Sequence, residues 1–281
     1  MIVDAQVHAY GADSDAYPWS GRSLTPEHPT MTGEQTIAAM DDVGVDAAVL
    51  VSTWVTYRDD TRYAESVYRQ HPGRFGLVAP IDADSDRVRE RVEEWAATSG
   101  AVGVRLLFRR RGSWDADHPG VVATLDGATR AGLAVNVHCW GRLAVMEQLA
   151  RAFPDAQLVL DHLGLAQPLA SPVPDDALAE LDQVLALARH PNLAIKLTGA
   201  CTYSRRPFPY DDLWEPIGRV IDAFGVERCL WGTDWQRATP LVSYDDAVRA
   251  FRDAWPMSAA EREAIMGANT MRIYDWAKLA P

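Results

Sequence analysis

Eight short apolar, β-branched runs recur along the chain at 2–8, 46–53, 75–80, 101–108, 133–138, 157–162, 193–198 and 228–233. Stretches with helical periodicity separate them, at about 32–42, 61–70, 85–97, 119–131, 143–153, 176–189 and 212–224. Gly44 stops the first helix, His71-Pro72-Gly73 the second, and Pro119 suits the first turn of the fourth. Strands alternating with helices predict βαβ units and a parallel sheet. Eight such units within 281 residues are the content of a (β/α)8 barrel. A doubly wound open sheet is the alternative, but no G-x-G-x-x-G follows the first strand and no P-loop is present. Composition does not break anywhere along the chain. The expected architecture is α/β, one domain over residues 1–281: a single (β/α)8 TIM barrel with extra C-terminal helices after about residue 245.

The net charge of −12 argues against nucleic acid as a partner, because phosphate binding needs a basic face. No run approaches the ~18 apolar residues of a membrane span, and the N-terminus does not read as a basic-then-apolar leader. Cys139, Cys201 and Cys229 are widely spaced and odd in number, which suits a reducing compartment. The expected setting is cytoplasmic, without membrane association. The loop at 10–33 is long for a compact domain and is a candidate lid or site wall.

Barrel enzymes carry their catalytic residues at the C-terminal ends of the strands. Strand alternation puts Asp4, Gln6 and His8 on one face of the first strand, with Asp4 read as a buried hydrogen-bond partner orienting a neighbour rather than as a chemical group. A solvated edge strand would explain these polar residues equally simply, but other strand ends repeat the pattern. The fifth ends in His138, the sixth in Asp161-His162, and the eighth runs into Asp234. Arg105 lies within the fourth strand, facing inward with Gly103, where a guanidinium suits a substrate carboxylate. Lys196 on the seventh strand reads as half of a buried ion pair. Arg109–Arg111 are either a solvated surface or further anion contacts, and Arg205 and Arg206 are secondary candidates. Trp54, Trp140 and Trp235 follow strand ends directly and Trp19 sits in the first long loop, so these four could stack on a sugar or aryl ring. Cys139 should point to the helices, away from its neighbour His138, which discounts a thiol mechanism.

VDAQVH at the start, HPGRF at 71–75, GVRL at 103–106, VNVH at 135–138, LDHLG at 160–164, IKLTG at 195–199, WGTDW at 231–235 and GANTMRIYDW at 267–276 are each weak motifs. In this order they make the chain resemble, nearly end to end, the amidohydrolase-related (amidohydrolase 2) family of the amidohydrolase superfamily. The resemblance implies a metal-dependent decarboxylase or hydrolase, or a lactonase acting on sugar or aromatic-degradation lactones, some of which need no metal. It also allows a homodimer. Metal-binding relatives use two strand-1 histidines, the strand-5 His and the strand-8 Asp, which would be His8, His138 and Asp234 here. Gln6 replaces the first histidine, and an amide oxygen is a poor Zn²⁺ ligand. That tips the reading toward catalysis without tightly bound metal, with one divalent cation, Zn²⁺ or Mn²⁺, as the alternative.

The leading expectation is hydrolysis of a small carboxylated lactone or related ester. Asp234 would activate water, His8, His138 and Gln6 would polarise the carbonyl, and His162 would protonate the leaving alkoxide or hold the water. The alternatives are a metal-dependent, non-oxidative decarboxylase of an aromatic or unsaturated acid, and a non-catalytic barrel that binds a sugar acid.

Overall fold

The computed structural model describes residues 1–25, 27–108 and 114–279. Eight parallel strands pair in sequence order: β1 (Val3–Val7), β2 (Ala47–Val51), β3 (Phe75–Pro80), β4 (Ala101–Leu107), β5 (Ala134–His138), β6 (Leu158–Leu160), β7 (Leu193–Thr198) and β8 (Cys229–Gly232). Helices α1 (Gly33–Val43), α2 (Arg62–Gln70), α3 (Val88–Ala96), α4 (Pro119–Ala131), α5 (Leu143–Ala152), α6 (Leu181–Ala186) and α7 (Trp214–Phe224) lie between them. This is the expected (β/α)8 barrel, with further helices after β8. Among the described residues, no helix is long and apolar enough to cross a membrane.

Strand side chains sort by alternation. Leu50, Leu77, Leu106, Val137, Leu160, Ile195 and Trp231 pack outward under the helices. Val49, Val78, Ala134, Val159, Ala194 and Leu230 fill the barrel interior, where Ile273, Tyr274 and Leu279 from the C-terminal segment pack against them. The last described segment of the chain, residues 273–279, therefore plugs the end of the barrel opposite the strand C-termini, and the Tyr274 hydroxyl donates to Asn136 Oδ1 at 2.8 Å.

The helix expected over 176–189 shortens to α6 followed by a 3₁₀ turn, Leu187–Arg189. Leu181, Val184 and Leu187 are its buried residues, whereas 175–180 are exposed or half-buried and gain little from helical packing. The alternation expected for the first strand also fails at one point. The β1–β2 register slips between Asp4 and Val7, so Asp4 does not share a face with Gln6 and His8.

Asp4 instead closes the barrel between β1 and β8. Its carboxylate accepts from the Gln6 and Thr233 amides, the Thr233 hydroxyl at 2.6 Å and the Tyr244 hydroxyl at 3.2 Å. Gly232 permits the approach, since a Cβ there would lie 2.9 Å from Asp4 Oδ1 and 2.4 Å from Thr198 Cγ2. Burial raises the Asp4 pKa to about 6, outweighing the hydrogen bonds that pull it down. A carboxyl whose folded pKa is raised contributes stability that is present below its unfolded value and lost as pH rises through the folded one. Asp4→Asn removes that titration. Its unfolding free energy relative to wild type should improve between pH 4 and 6, by roughly 3 kcal/mol. Urea melts across that range test this, and a pH-independent difference would refute it.

Candidate active site

At the C-terminal ends of the strands opens a cavity of about 380 Å³, walled by His8, Trp54, Arg105, His138, Trp140, His162 and Asp234 from the strand ends. Arg22 and Leu24 from the long first loop, Leu165, Gln167 and Leu169 beyond β6, and Arg237 just beyond β8 also line it. The loop is thus a site wall, as its length implied. Of the four candidate tryptophans, Trp54 and Trp140 line the cavity and Trp19 and Trp235 do not. Trp19 donates its indole N–H to the Gly11 carbonyl, and Trp235 packs on Tyr244 with ring centroids 5.1 Å apart. Arg205 and Arg206 are exposed and paired with Asp175 and Asp211. Arg109–Arg111 lie outside the described residues.

Two of the polar residues sit on backbone that L-residues rarely adopt. His162 (φ 51°) opens a left-handed turn with Leu163 and Gly164 directly after β6, and Asp234 (φ 49°) does the same after β8. Such positions cost on the order of 1–3 kcal/mol and persist where the surroundings over-determine them. Here the Asp234 amide is tied to the Gln6 carbonyl at 3.0 Å, and the next turn, Trp235–Ala238, starts from Asp234.

The hydrogen bonds fix which proton sits where. His162 Nε2 lies 3.1 Å from Gln6 Nε2 and 3.2 Å from Arg105 Nη2. Both of those atoms only donate, so Nε2 must accept, and the ring proton resides on Nδ1, 3.1 Å from Thr198 Oγ1. Burial, reinforced by Arg105 and Lys196 and opposed by Asp234 and Asp161, lowers the His162 pKa to about 4. His162 is therefore neutral at neutral pH and has no proton on Nε2 to give a leaving alkoxide; of the two roles expected for it, this geometry disfavours the proton donor and leaves holding the water open. His8 Nδ1 donates to the Val51 carbonyl at 2.6 Å, which turns Nε2 toward Asp234 Oδ1 at 3.2 Å.

Gln6 is fully buried and does not reach the cavity wall. Its amide oxygen accepts from Lys196 Nζ at 2.9 Å, and its amide nitrogen faces His162 Nε2 and, at 3.4 Å, Asp234 Oδ1. The expected donation from Gln6 to a substrate carbonyl is therefore replaced by a structural one: Lys196 fixes the amide, and the amide fixes Asp234 and His162. Lys196 is the buried ion pair foreseen, 3.2 Å from Asp161 Oδ1, while Asp161 Oδ2 accepts from Arg105 Nε at 2.7 Å. Asp234 is pushed up by burial, but this is outweighed by the charges of His162 and His8, the His8 hydrogen bond and Arg237, which hold it below the usual carboxylate range. Cys139 faces away from the cavity, its thiol pushed up by burial to about 12.

These residues do not fit a divalent ion. Among the described residues, no three His, Cys, Asp or Glu side chains gather in ligand geometry. The one oxygen Gln6 could offer is turned to the Lys196 ammonium, whose charge would repel a cation there.

The family model for amidohydrolases matches residues 3–276. An L-fucono-1,5-lactonase of Burkholderia multivorans is 28% identical, covering 98% of this chain and 96% of its own. A 4-sulfomuconolactone hydrolase of Hydrogenophaga intermedia is 26% identical over 96% and 88% of the two chains. The fold matches a crystal structure of a Burkholderia multivorans amidohydrolase with bound zinc at a TM-score of 0.78, with 22% identity over 98% of this chain and 99% of that one.

Proposed function

The chain belongs to the amidohydrolase family, and on that premise we propose that it hydrolyses the ring ester of a small carboxylated lactone, of the sugar-acid or aromatic-degradation type. One observation carries the reading: a buried, ionised Asp234 is the single carboxylate among the described residues lining a cavity that also holds three histidines, three arginines and two tryptophans. Similarity to lactone-hydrolysing relatives supports it. The lactone carbonyl sits between Asp234 and an N–H donor of His138, with Trp54 and Trp140 against the ring; His8, whose Nδ1–H is bonded to Val51 and whose Nε2 faces Asp234, positions the base rather than polarising the carbonyl as expected. Asp234 takes a proton from water as the oxygen adds to the carbonyl carbon. A carboxylate this weakly basic removes that proton only in concert with addition, so the carbonyl must be polarised at the same moment. Each oxyanion donor is worth ~2.7–4 kcal/mol in comparable sites. Collapse breaks the ring C–O bond, and Asp234 returns the proton to the alkoxide, leaving a hydroxy acid. Gln6 and His162 hold Asp234 in place. Three buried free thiols, Cys139, Cys201 and Cys229, support a cytoplasmic setting.

Proton release from glucarolactone, muconolactone and uncharged gluconolactone, measured in excess chelator, tests the reading. Turnover of a carboxylated lactone is the expected result. Silence across the panel, with and without added Zn²⁺ or Mn²⁺, overturns it.

A further inference from the structure

We infer that Arg237, with Arg22 beside it, is the receptor for the substrate's acid group, and that Arg105 is not. The inference rests on the lactone reading and deepens it. Three guanidiniums line the cavity, Arg22, Arg105 and Arg237. Arg105, where a carboxylate clamp was expected, is already committed to an acid within the protein: Nε bonds Asp161 Oδ2 at 2.7 Å and Nη2 faces His162 Nε2 at 3.2 Å, in a side chain only 7% exposed. Its charge is balanced below the cavity, and its geometry serves His162.

Arg237 is different. It is half-buried, lines the cavity, and its guanidinium makes no hydrogen bond or ion pair with any described residue. Asp234 is the single carboxylate among the described lining residues, and it is engaged with His8 rather than with Arg237. Arg22 makes one long bond, Nη1 to the neighbouring Ser23 carbonyl at 3.4 Å. Burial depresses the Arg237 pKa, Asp234 opposes this, and the positive charges of Arg105 and Arg22 add to the depression. Like charges held near one another at a cavity wall, without a counter-ion of their own, are relieved by a bound anion.

The backbone that carries each arginine is also fixed, although the Arg22 residue itself is exposed. Arg237 sits one helical turn after Asp234, its amide bonded to the Asp234 carbonyl at 2.9 Å, so an acid docked there is placed at a fixed offset from the base. Arg22 is carried by a loop seated on the turn Trp54–Tyr57: Ser20 and Gly21 amides bond the Thr56 carbonyl, and the Arg22 amide bonds Val55 at 3.2 Å. Only glycine allows that seating, since a Cβ at Gly21 would lie 2.0 Å from the Val55 carbonyl oxygen. Thr25 Oγ1 pins the same loop to the Gln236 carbonyl at 3.2 Å, next to Arg237. The ligand class is a small lactone bearing one carboxylate outside the ring, on the β8 side.

The test compares glucarolactone with gluconolactone, which carries a hydroxymethyl group where the first has a carboxylate. In Arg237→Met the ratio of kcat/KM for the charged over the uncharged lactone should fall about 10- to 100-fold, the loss falling in KM rather than kcat. Arg237→Lys should restore part of it, and Arg22→Met should lower it by a smaller factor. An unchanged ratio in Arg237→Met places the acid elsewhere and overturns the inference. Calorimetric binding of glucarate, the open-chain diacid, provides a second arm independent of turnover. Wild type should bind it and Arg237→Met should bind it at least about tenfold more weakly. If wild type hydrolyses neither lactone, the lactone reading falls and the glucarate arm alone decides the arginine assignment. Equal binding by both proteins, or binding by neither, overturns it.

Discussion

Asp234→Asn should reduce kcat on a carboxylated lactone by about 10²- to 10⁴-fold, the range expected when a positioned proton acceptor is lost. Asparagine is the informative replacement because it keeps the shape of the side chain and tolerates the left-handed backbone at this position, φ 49°, where alanine would add strain. It still meets His8 Nε2 and Gln6 Nε2 but cannot take a proton from water. Binding should not suffer. Asp234 is a negative charge in a cavity walled by three arginines, so neutralising it makes the site no less attractive to an anion, and glucarate should bind the variant as tightly as wild type or more tightly. Loss of turnover with retained binding separates a missing base from a collapsed site. The wild-type pH profile gives an independent check. Activity requires ionised Asp234, held below the usual carboxylate range, and an unprotonated His162 Nε2, so the rate should stay level from neutral pH downward and fall first where His162 takes up a proton, at about 4. A variant that keeps more than a tenth of wild-type kcat would remove Asp234 from the chemistry.

The barrel was legible because β-branched runs, helical stretches and their stop residues agreed at almost every unit. The helix at Pro119–Ala131 and the strand ending at His138 fall where the pattern put them. The positions of His8, His162 and Asp234 around one cavity followed from the rule that strand C-termini meet at one end of a barrel. What could not be read was any property set by long-range pairing. Asp4 is the buried hydrogen-bond partner expected, but unbroken alternation puts it on the face of Gln6 and His8, and the β1 register slip depends on how β8 and Tyr244 pack against it. Gln6 was read as a donor to substrate because its partner, Lys196, lies 190 residues away along the chain. Arg237 was missed because no helical turn was anticipated directly after Asp234, although an arginine three residues beyond a strand-end acid was a usable signal. Arg22 sat in the loop already marked as a site wall, but nothing local says which residue of so long a loop faces inward.

The largest stability effect should come from a layer that touches no substrate. Asp161 is fully buried between Arg105 and Lys196, and Asp161→Asn should cost ~3–5 kcal/mol at pH 7, the usual penalty for removing one partner of a buried ion pair. Burial pushes the Asp161 carboxyl up, but Arg105 and Lys196 outweigh this and hold it far below the usual range. A depressed carboxylate contributes stability that is present above its unfolded pKa of about 3.9 and lost as pH falls through its folded one. The gap between variant and wild type, measured by urea unfolding, should therefore be widest near neutrality and close progressively below about pH 4. The cost has a specific origin in charge balance. Arg105 and Lys196 stand against Asp161 and Asp234, and neutralising Asp161 leaves an excess positive charge, with Lys196 already disfavoured as an ammonium by its burial. Asp161→Asn/Lys196→Met restores the balance and should recover part of the lost stability. It should not recover activity, because Gln6 then loses the donor that orients its amide toward Asp234 and His162. A double variant no more stable than Asp161→Asn would mean that the penalty lies in lost packing and not in the unpaired ammonium. An Asp161→Asn protein within about 1 kcal/mol of wild type at pH 7 would mean that the pair contributes no more than an exposed one.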